Sequence, residues 1–309
     1  MKSHSQSASI FPQALSNISN RNTFWPILAI MAAVIFWGGS FAAMRIAVAE
    51  LNPWTVMWFR MTIAALLISP FLKKLKPQKY QKGDWKLLLP MVLFQPCLYF
   101  LMESYALKFT TSTQAGVIAA VLPLMVATGA WLMLKESLSF RTLTGLVISI
   151  AGVIFLTFLG NGGDAENPVL GNFIELIAMA CASANMVLIK KLSNRYNSWT
   201  LTAMQLLTGA VFFLPGLILF LQMDNLHLNL RLISSIIFLG SLVTLGAFGL
   251  YNWGISQISA TKASAFINLV PVFAVLFGWV LLNERLSPLQ SLSACVVIAG
   301  VWISQRKTE

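Results

Sequence analysis

Charge is scarce in this sequence. Only 10% of its 309 residues are Asp, Glu, Lys or Arg, against roughly 25% in soluble globular domains, and this excludes an ordinary water-facing surface. Histidine is nearly absent, His4 and His227 being the only two. With no cluster of histidines and carboxylates, the sequence offers neither a metal site nor an acid–base pair for catalysis, and no cofactor is expected. Three cysteines, Cys97, Cys181 and Cys295, stand far apart inside apolar stretches. Lacking CxxC spacing, they make no disulfide framework and read as small packing residues. Gly-rich nucleotide motifs are missing too, which excludes a self-contained ATP-driven pump.

What the sequence has instead is apolar length. Hydrophobic residues make up 57% of it and the mean hydropathy is +0.76. A hydrocarbon core about 30 Å thick takes about 20 helical residues per crossing. Ten runs of that order can be read, at 25–48, 53–72, 85–107, 111–134, 143–159, 169–189, 199–221, 232–255, 263–282 and 289–304. They are nearly continuous rather than alternating in short segments, so helices satisfy their backbone groups better than barrel strands would. Residues 1–24 are polar and Ser/Asn-rich, without the apolar core and cleavage pattern of a secretory signal. They are expected to be a disordered cytoplasmic tail.

A net charge of +11 and a pI near 9.8 would suit nucleic acid, but the placement of the charges points elsewhere. With a cytoplasmic N-terminus, 16 of the 21 basic residues fall on inner segments. The outer ends receive Arg45, Lys108, Arg231 and Arg285, and Arg60 lies within the second run. This is the positive-inside pattern, and it predicts both termini in the cytoplasm of a multi-pass inner-membrane protein. Lipid and a small-molecule substrate are the expected partners, nucleic acid is not, and monomer or homodimer is left open.

Internal repetition is the most specific signal. Shifting 113–154 by 148 positions puts Pro123 on Pro271, Trp131 on Trp279, Glu136 on Glu284 and Gly152 on Gly300, with no gap. Upstream, a shift of 145 puts Pro70 on Pro215 and Thr55 on Thr200. The expected architecture is therefore all-α, ten transmembrane helices in two halves, 25–160 and 169–305. Five helices per half make the repeats inverted, an arrangement that gives transporters two conformations of opposite access around a mid-membrane site.

Several short patterns add to this: Trp37-Gly38-Gly39-Ser40-Phe41, Phe59-Arg60, Pro123 followed by Lys135-Glu136, and Pro271 followed by Asn283-Glu284-Arg285-Leu286. Together they resemble the EamA-type transporters of the drug/metabolite transporter superfamily over residues 25–305. The resemblance implies ten helices, a central cavity between the halves, and export of amino acids or related metabolites. The first run carries Trp37 and no acid, unlike the related small multidrug pumps, whose first helix supplies the proton-coupling glutamate.

Candidate site residues follow from polarity at depth. Pro123 and Pro271, near the middle of the fourth and ninth runs, read either as paired hinges or as static kinks. Arg45 and Arg60 can face Glu103 and Glu175, since an ionisable group inside a bilayer costs at least a few kcal/mol unless paired. Such a layer is a structural ion-pair set, or Glu103 is a carboxylate for an amine or a proton. Glu136 and Glu284 read as local caps beside Lys135 and Arg285. Gln114, Gln205, Gln95, Asn185, Asn252 and Asn268, with Tyr99, Trp37 and Trp253, either bridge helices or line a polar, aromatic-walled cavity. The expected substrate contacts are Trp37, Gln95, Tyr99, Asn185, Asn252 and Asn268, with Glu103, and Gln95 and Tyr99 are placed on one helix face by their spacing of four. A secondary transporter is the leading reading. A membrane receptor or scaffold, and an integral membrane enzyme, are the alternatives.

Overall fold

The computed structural model describes residues 24–74, 80–135, 139–158, 165–192, 195–223, 229–257 and 266–305. Residues 1–23, Glu136 and Lys262 lie outside them. Among the described residues there is no strand. Fourteen α-helical elements are used below: α1 Phe24–Glu50, α2 Pro53–Ile68, α3 Trp85–Val92, α4 Tyr99–Phe109, α5 Ser112–Ala119, α6 Leu122–Leu134 and α7 Phe140–Phe158, followed by α8 Pro168–Leu192, α9 Ser198–Phe212, α10 Pro215–Leu221, α11 Leu230–Ile237, α12 Phe248–Gln257, α13 Val270–Leu282 and α14 Pro288–Gln305.

Among the described residues, seven helical stretches are long and apolar enough to cross a membrane. An eighth candidate is α9 with α10, bent by 43° at residues 213–214, and α13 and α14 are shorter apolar helices. Several of these stretches are composite. A wide π-type turn at Leu93–Leu98 joins α3 to α4, another at Phe238–Ala247 joins α11 to α12, and a short turn at 120–121 separates α5 from α6.

Sequence signals explain where the helices begin and end. Asn52 and Asn197 cap α2 and α9, each side chain accepting the N–H of a tryptophan two residues on, Trp54 and Trp199. Pro123 and Pro271 correct an expectation. They sit not in mid-helix but in the first turn of α6 and α13, where a missing N–H breaks no hydrogen bond. α6 and α13 match closely. Both have 13 residues, both carry this proline at the start, and both stop at a left-handed residue, Lys135 at φ 56° and Asn283 at φ 55°.

α1 packs on α4, α5, α11, α12 and α13, and α5 also touches α13. Close approach here depends on glycine. A Cβ on Gly38 would overlap the Cβ of Phe273 on α13 and come within 3.1 Å of the Ala274 nitrogen, and one on Gly116 of α5 would overlap the Cβ of Ala274. α7 and α14 pair most extensively, with Gly145, Gly152 and Gly300 between them and the Ser149 hydroxyl donating to the Val297 carbonyl at 3.0 Å. Such small-residue seams are what membrane helices use in place of hydrophobic burial.

At one end of the bundle, the segment before α3 is tied to the segment after α8. The buried Asp84 carboxylate accepts from the Gln81 N–H (2.9 Å) and the Tyr196 hydroxyl (2.8 Å), and pairs with Arg195 at 2.7 Å. The Gln81 N–H first, then Tyr196 and Arg195, outweigh burial and hold the Asp84 carboxyl below its usual range. Burial, followed by Asp84, pushes the Tyr196 hydroxyl up to about 12. A carboxylate whose pKa falls on folding adds stability above the ordinary carboxylate range, and that stability is lost as pH drops through the folded value. Asp84→Asn is therefore expected to lower the melting temperature at neutral pH, with the gap to the wild type closing towards strongly acidic pH. A gap that stays constant across a pH series of thermal scans would count against this.

Candidate functional site

The third stretch is interrupted where the expected binding residues lie. Pro96 has no N–H to donate, and Gln95 is extended at φ −148°, ψ 123°, so carbonyls around this turn need partners from elsewhere. Two side-chain amides provide them. Asn185 on α8 donates to the Met91 carbonyl at 2.7 Å and, more loosely, to the Gln95 carbonyl at 3.4 Å. Gln205 on α9 donates to the Gln95 carbonyl at 2.8 Å. Asn185 is 1% exposed, and its amide nitrogen supports this turn in the closed arrangement seen here. The spacing rule that placed Gln95 and Tyr99 on one face assumes an unbroken helix, and it does not hold across this turn.

Tyr99 instead begins a new helix and reaches forward, its hydroxyl donating to Glu103 at 2.5 Å. Glu103 lies 3.5 Å from the Arg60 guanidinium, with both side chains 4% exposed. Arg60 also donates from Nε to the Thr244 hydroxyl at 2.9 Å and stacks 4.2 Å over the Phe100 ring. Of the two arginines and two glutamates expected to face each other, Arg60 and Glu103 do so. Arg45 donates to the Leu107 and Lys108 carbonyls at the C-terminal end of α4, at 2.5 and 2.7 Å, where a cation complements the helix dipole. Glu175 on α8 is fully buried, and neither of its oxygens has a hydrogen-bond partner among the described residues.

Trp37 packs between Phe248 and Tyr251 of α12, with ring centroids 5.6 and 5.1 Å away. Phe248 in turn borders a small cleft of about 30 Å³ lined also by Gln95, Phe100, Gln205 and Thr244. That volume is roughly one water's share of liquid. Asn268 is half-buried in the turn before α13. Asn252 falls within α12, and its side chain lies outside the described residues. The structure thus gathers Tyr99, Glu103 and Arg60 in one cluster, and Gln95, Asn185 and Gln205 in a second beside it.

Two polar features escaped the sequence reading. Asn172 on α8 joins three neighbours in a buried knot, accepting from Thr110 (2.6 Å) and donating to Gln114 (2.7 Å) and Thr157 (3.0 Å). At the same end of the bundle, marked by Glu50, a cavity of about 690 Å³ is walled by Arg45, Lys108, Arg231 and Arg285 and by Glu50, Glu166 and Glu284. Glu284 is a cap, as expected, but not a local one. Its carboxylate accepts from the Ser112 N–H and hydroxyl and from the Thr113 N–H, at 2.8–2.9 Å, all on α5. The repeat singled out Glu284, but no local pattern names the helix it caps. Among the described residues, no group of three His, Cys, Asp or Glu side chains is placed to hold a metal.

A family model described as "EamA-like transporter family" matches residues 24–158 and again residues 169–305. The chain is 24% identical over 282 residues to an "Uncharacterized transporter" of Archaeoglobus fulgidus, covering 91% of this chain and 97% of that protein. It is 28% identical over 286 residues to the "Uncharacterized transporter YcxC" of Bacillus subtilis, covering 89% and 90% of the two chains. A solved crystal structure at 17% identity superposes with a TM-score of 0.61 over 90% of this chain and 96% of its own, which shows the fold to be shared.

Proposed function

The chain belongs to the EamA-like transporter family and is a multi-pass membrane protein, and from that premise we propose that it exports small amphipathic metabolites, such as amino acids, across an inner membrane by alternating access. In this reading the ten apolar stretches are ten crossings in two inverted five-helix repeats, with both termini cytoplasmic and the Glu50 end of the bundle outside. The observation that carries it is the match between α6 and α13, which share length, starting proline and left-handed stop. Two equivalent half-spans of opposite direction are what a rocking pair of repeats requires.

Substrate then binds near mid-membrane, against Trp37, Gln95, Tyr99, Asn185, Asn252 and Asn268, with Glu103 as the partner for an amine or a proton. The cleft of about 30 Å³ is closed to such a solute, so binding needs movement, and the turns before Pro123 and Pro271 are where α5–α6 and α13 can bend. Purified protein in proteoliposomes should move amino acids between compartments without altering them chemically, which neither a receptor nor an enzyme does. Tyr99→Phe and Asn268→Ala should each lower the initial rate several-fold while the protein still inserts and purifies. Wild-type rates in both variants would return these residues to packing roles.

A further inference from the structure

Glu284 lies between α13 and α14, yet its carboxylate rests on α5, whose first residue comes 172 positions earlier. One oxygen accepts from the Ser112 N–H at 2.9 Å, and the other from the Thr113 N–H and the Ser112 hydroxyl, both at 2.8 Å. The first N–H groups of a helix have no intrahelical partner, and the aligned peptide dipoles place partial positive charge there. That end of α5 is therefore a built receptor for one carboxylate, filled by the chain itself.

Two further observations indicate that it is meant for more than Glu284. The Thr113 hydroxyl is buried, has no hydrogen-bond partner among the described residues, and belongs to a residue lining the 690 Å³ cavity. It is an unused donor beside an occupied anion site, and a buried group left unsatisfied is costly. The cavity also presents more cations than carboxylates. Arg45 and Arg231 donate to main-chain carbonyls of Leu107, Lys108 and Leu281, which orients their guanidinium groups at the cavity wall.

We propose that the amino end of α5 is a second, carboxylate-binding site for the transported solute, at the Glu50 end and apart from the mid-membrane site, that Glu284 occupies it in the solute's absence, and that an incoming carboxylate displaces Glu284 with the Thr113 hydroxyl as an added donor. "Transported" rests on the reading above; the site itself does not. Three donors arranged around two oxygens fit the planar shape of a carboxylate. Displacement would also free the α13–α14 segment from α5, so that binding a carboxylate loosens one half from the other at the Glu50 end.

The test uses the full-length protein in detergent, with sodium acetate as probe against acetamide and sodium chloride at equal ionic strength. Glu284→Ala empties the receptor, so acetate should raise its melting temperature with a half-effect concentration at least about tenfold below that for the wild type, through binding linkage. Acetamide should have no such effect, and adding Thr113→Val should weaken the acetate response several-fold. Should Glu284→Ala fail to fold, Glu284→Gln leaves acetate with a neutral competitor and must still respond at lower acetate than the wild type. Equal responses in variant and wild type, or acetamide acting as well as acetate, would overturn the site. Acetate binding by the variant with no amino-acid flux through the wild type would remove the transport reading and leave the site standing.

Discussion

Arg60→Met is expected to destabilise the protein by about 3–5 kcal/mol, whereas the double replacement Arg60→Met, Glu103→Met should recover most of that loss. Arg60 is the single cation within 4.0 Å of Glu103 among the described residues, and both side chains are almost wholly buried. Removing the guanidinium leaves Glu103 with the Tyr99 hydroxyl alone and also takes a donor from Thr244 and a cation from the face of Phe100. Removing both charges takes away the stranded carboxylate, and two methionines fill the space with flexible apolar side chains. Unfolding in mixed micelles with rising dodecyl sulfate would read both variants. A double variant as unstable as the single would mean that the cluster with Tyr99 and Thr244 is worth more than its one ion pair.

Gly38→Val is the second large effect expected, about 3 kcal/mol of overpacking or more, with solute flux abolished. The overlap is with the Cβ of Phe273 and the main chain of Ala274, so shortening the Phe273 side chain cannot relieve it and α1 must separate from α13. Gly38→Ala should already be harmful, because it is the Cβ itself that collides. The neighbouring glycine supplies the control. A Cβ on Gly39 meets the Phe238 and Phe277 rings at 3.5 Å, an ordinary contact, so Gly39→Ala should be nearly silent. Monodispersity on size exclusion and proteoliposome flux would rank the three variants, and a harmless Gly38→Ala beside a harmful Gly39→Ala would contradict the packing described.

Local signals carried the sequence reading far. Pro123 and Pro271, aligned by a constant shift but expected in mid-helix, both stand in the first turn of a 13-residue helix, and Asn52 and Asn197, which neighbour the other aligned segment, each cap a helix start. The reading failed where a partner lies far along the chain. Asn185 stood out as a polar residue at depth, but the Met91 carbonyl it serves exists as an acceptor because of a break that 85–107, read as one helix, concealed. For Arg45, hydropathy marks a charge as costly without saying that carbonyls at the end of α4 help to hold it. Glu284 shows the same limit. Its place in the repeat is legible, whereas the helix end it caps is fixed by tertiary packing. Of the expected binding set, Tyr99 and Glu103 do come together, for the plain reason that they are four apart on an unbroken helix.

The support of the broken turn at Gln95 has a consequence for the order of biosynthesis. A chain is made from its N-terminus, so Met91 and Gln95 enter the membrane long before Asn185 and Gln205 have been polymerised. Until then the carbonyls those amides will hold have no permanent acceptor role in the nascent protein, and in hydrocarbon an unsatisfied carbonyl costs several kcal/mol. The third stretch must therefore wait at the insertion machinery, borrow water, or stay straighter than its final form. Its bend becomes permanent only when the second half arrives, which makes the shape of the first half a product of complete synthesis.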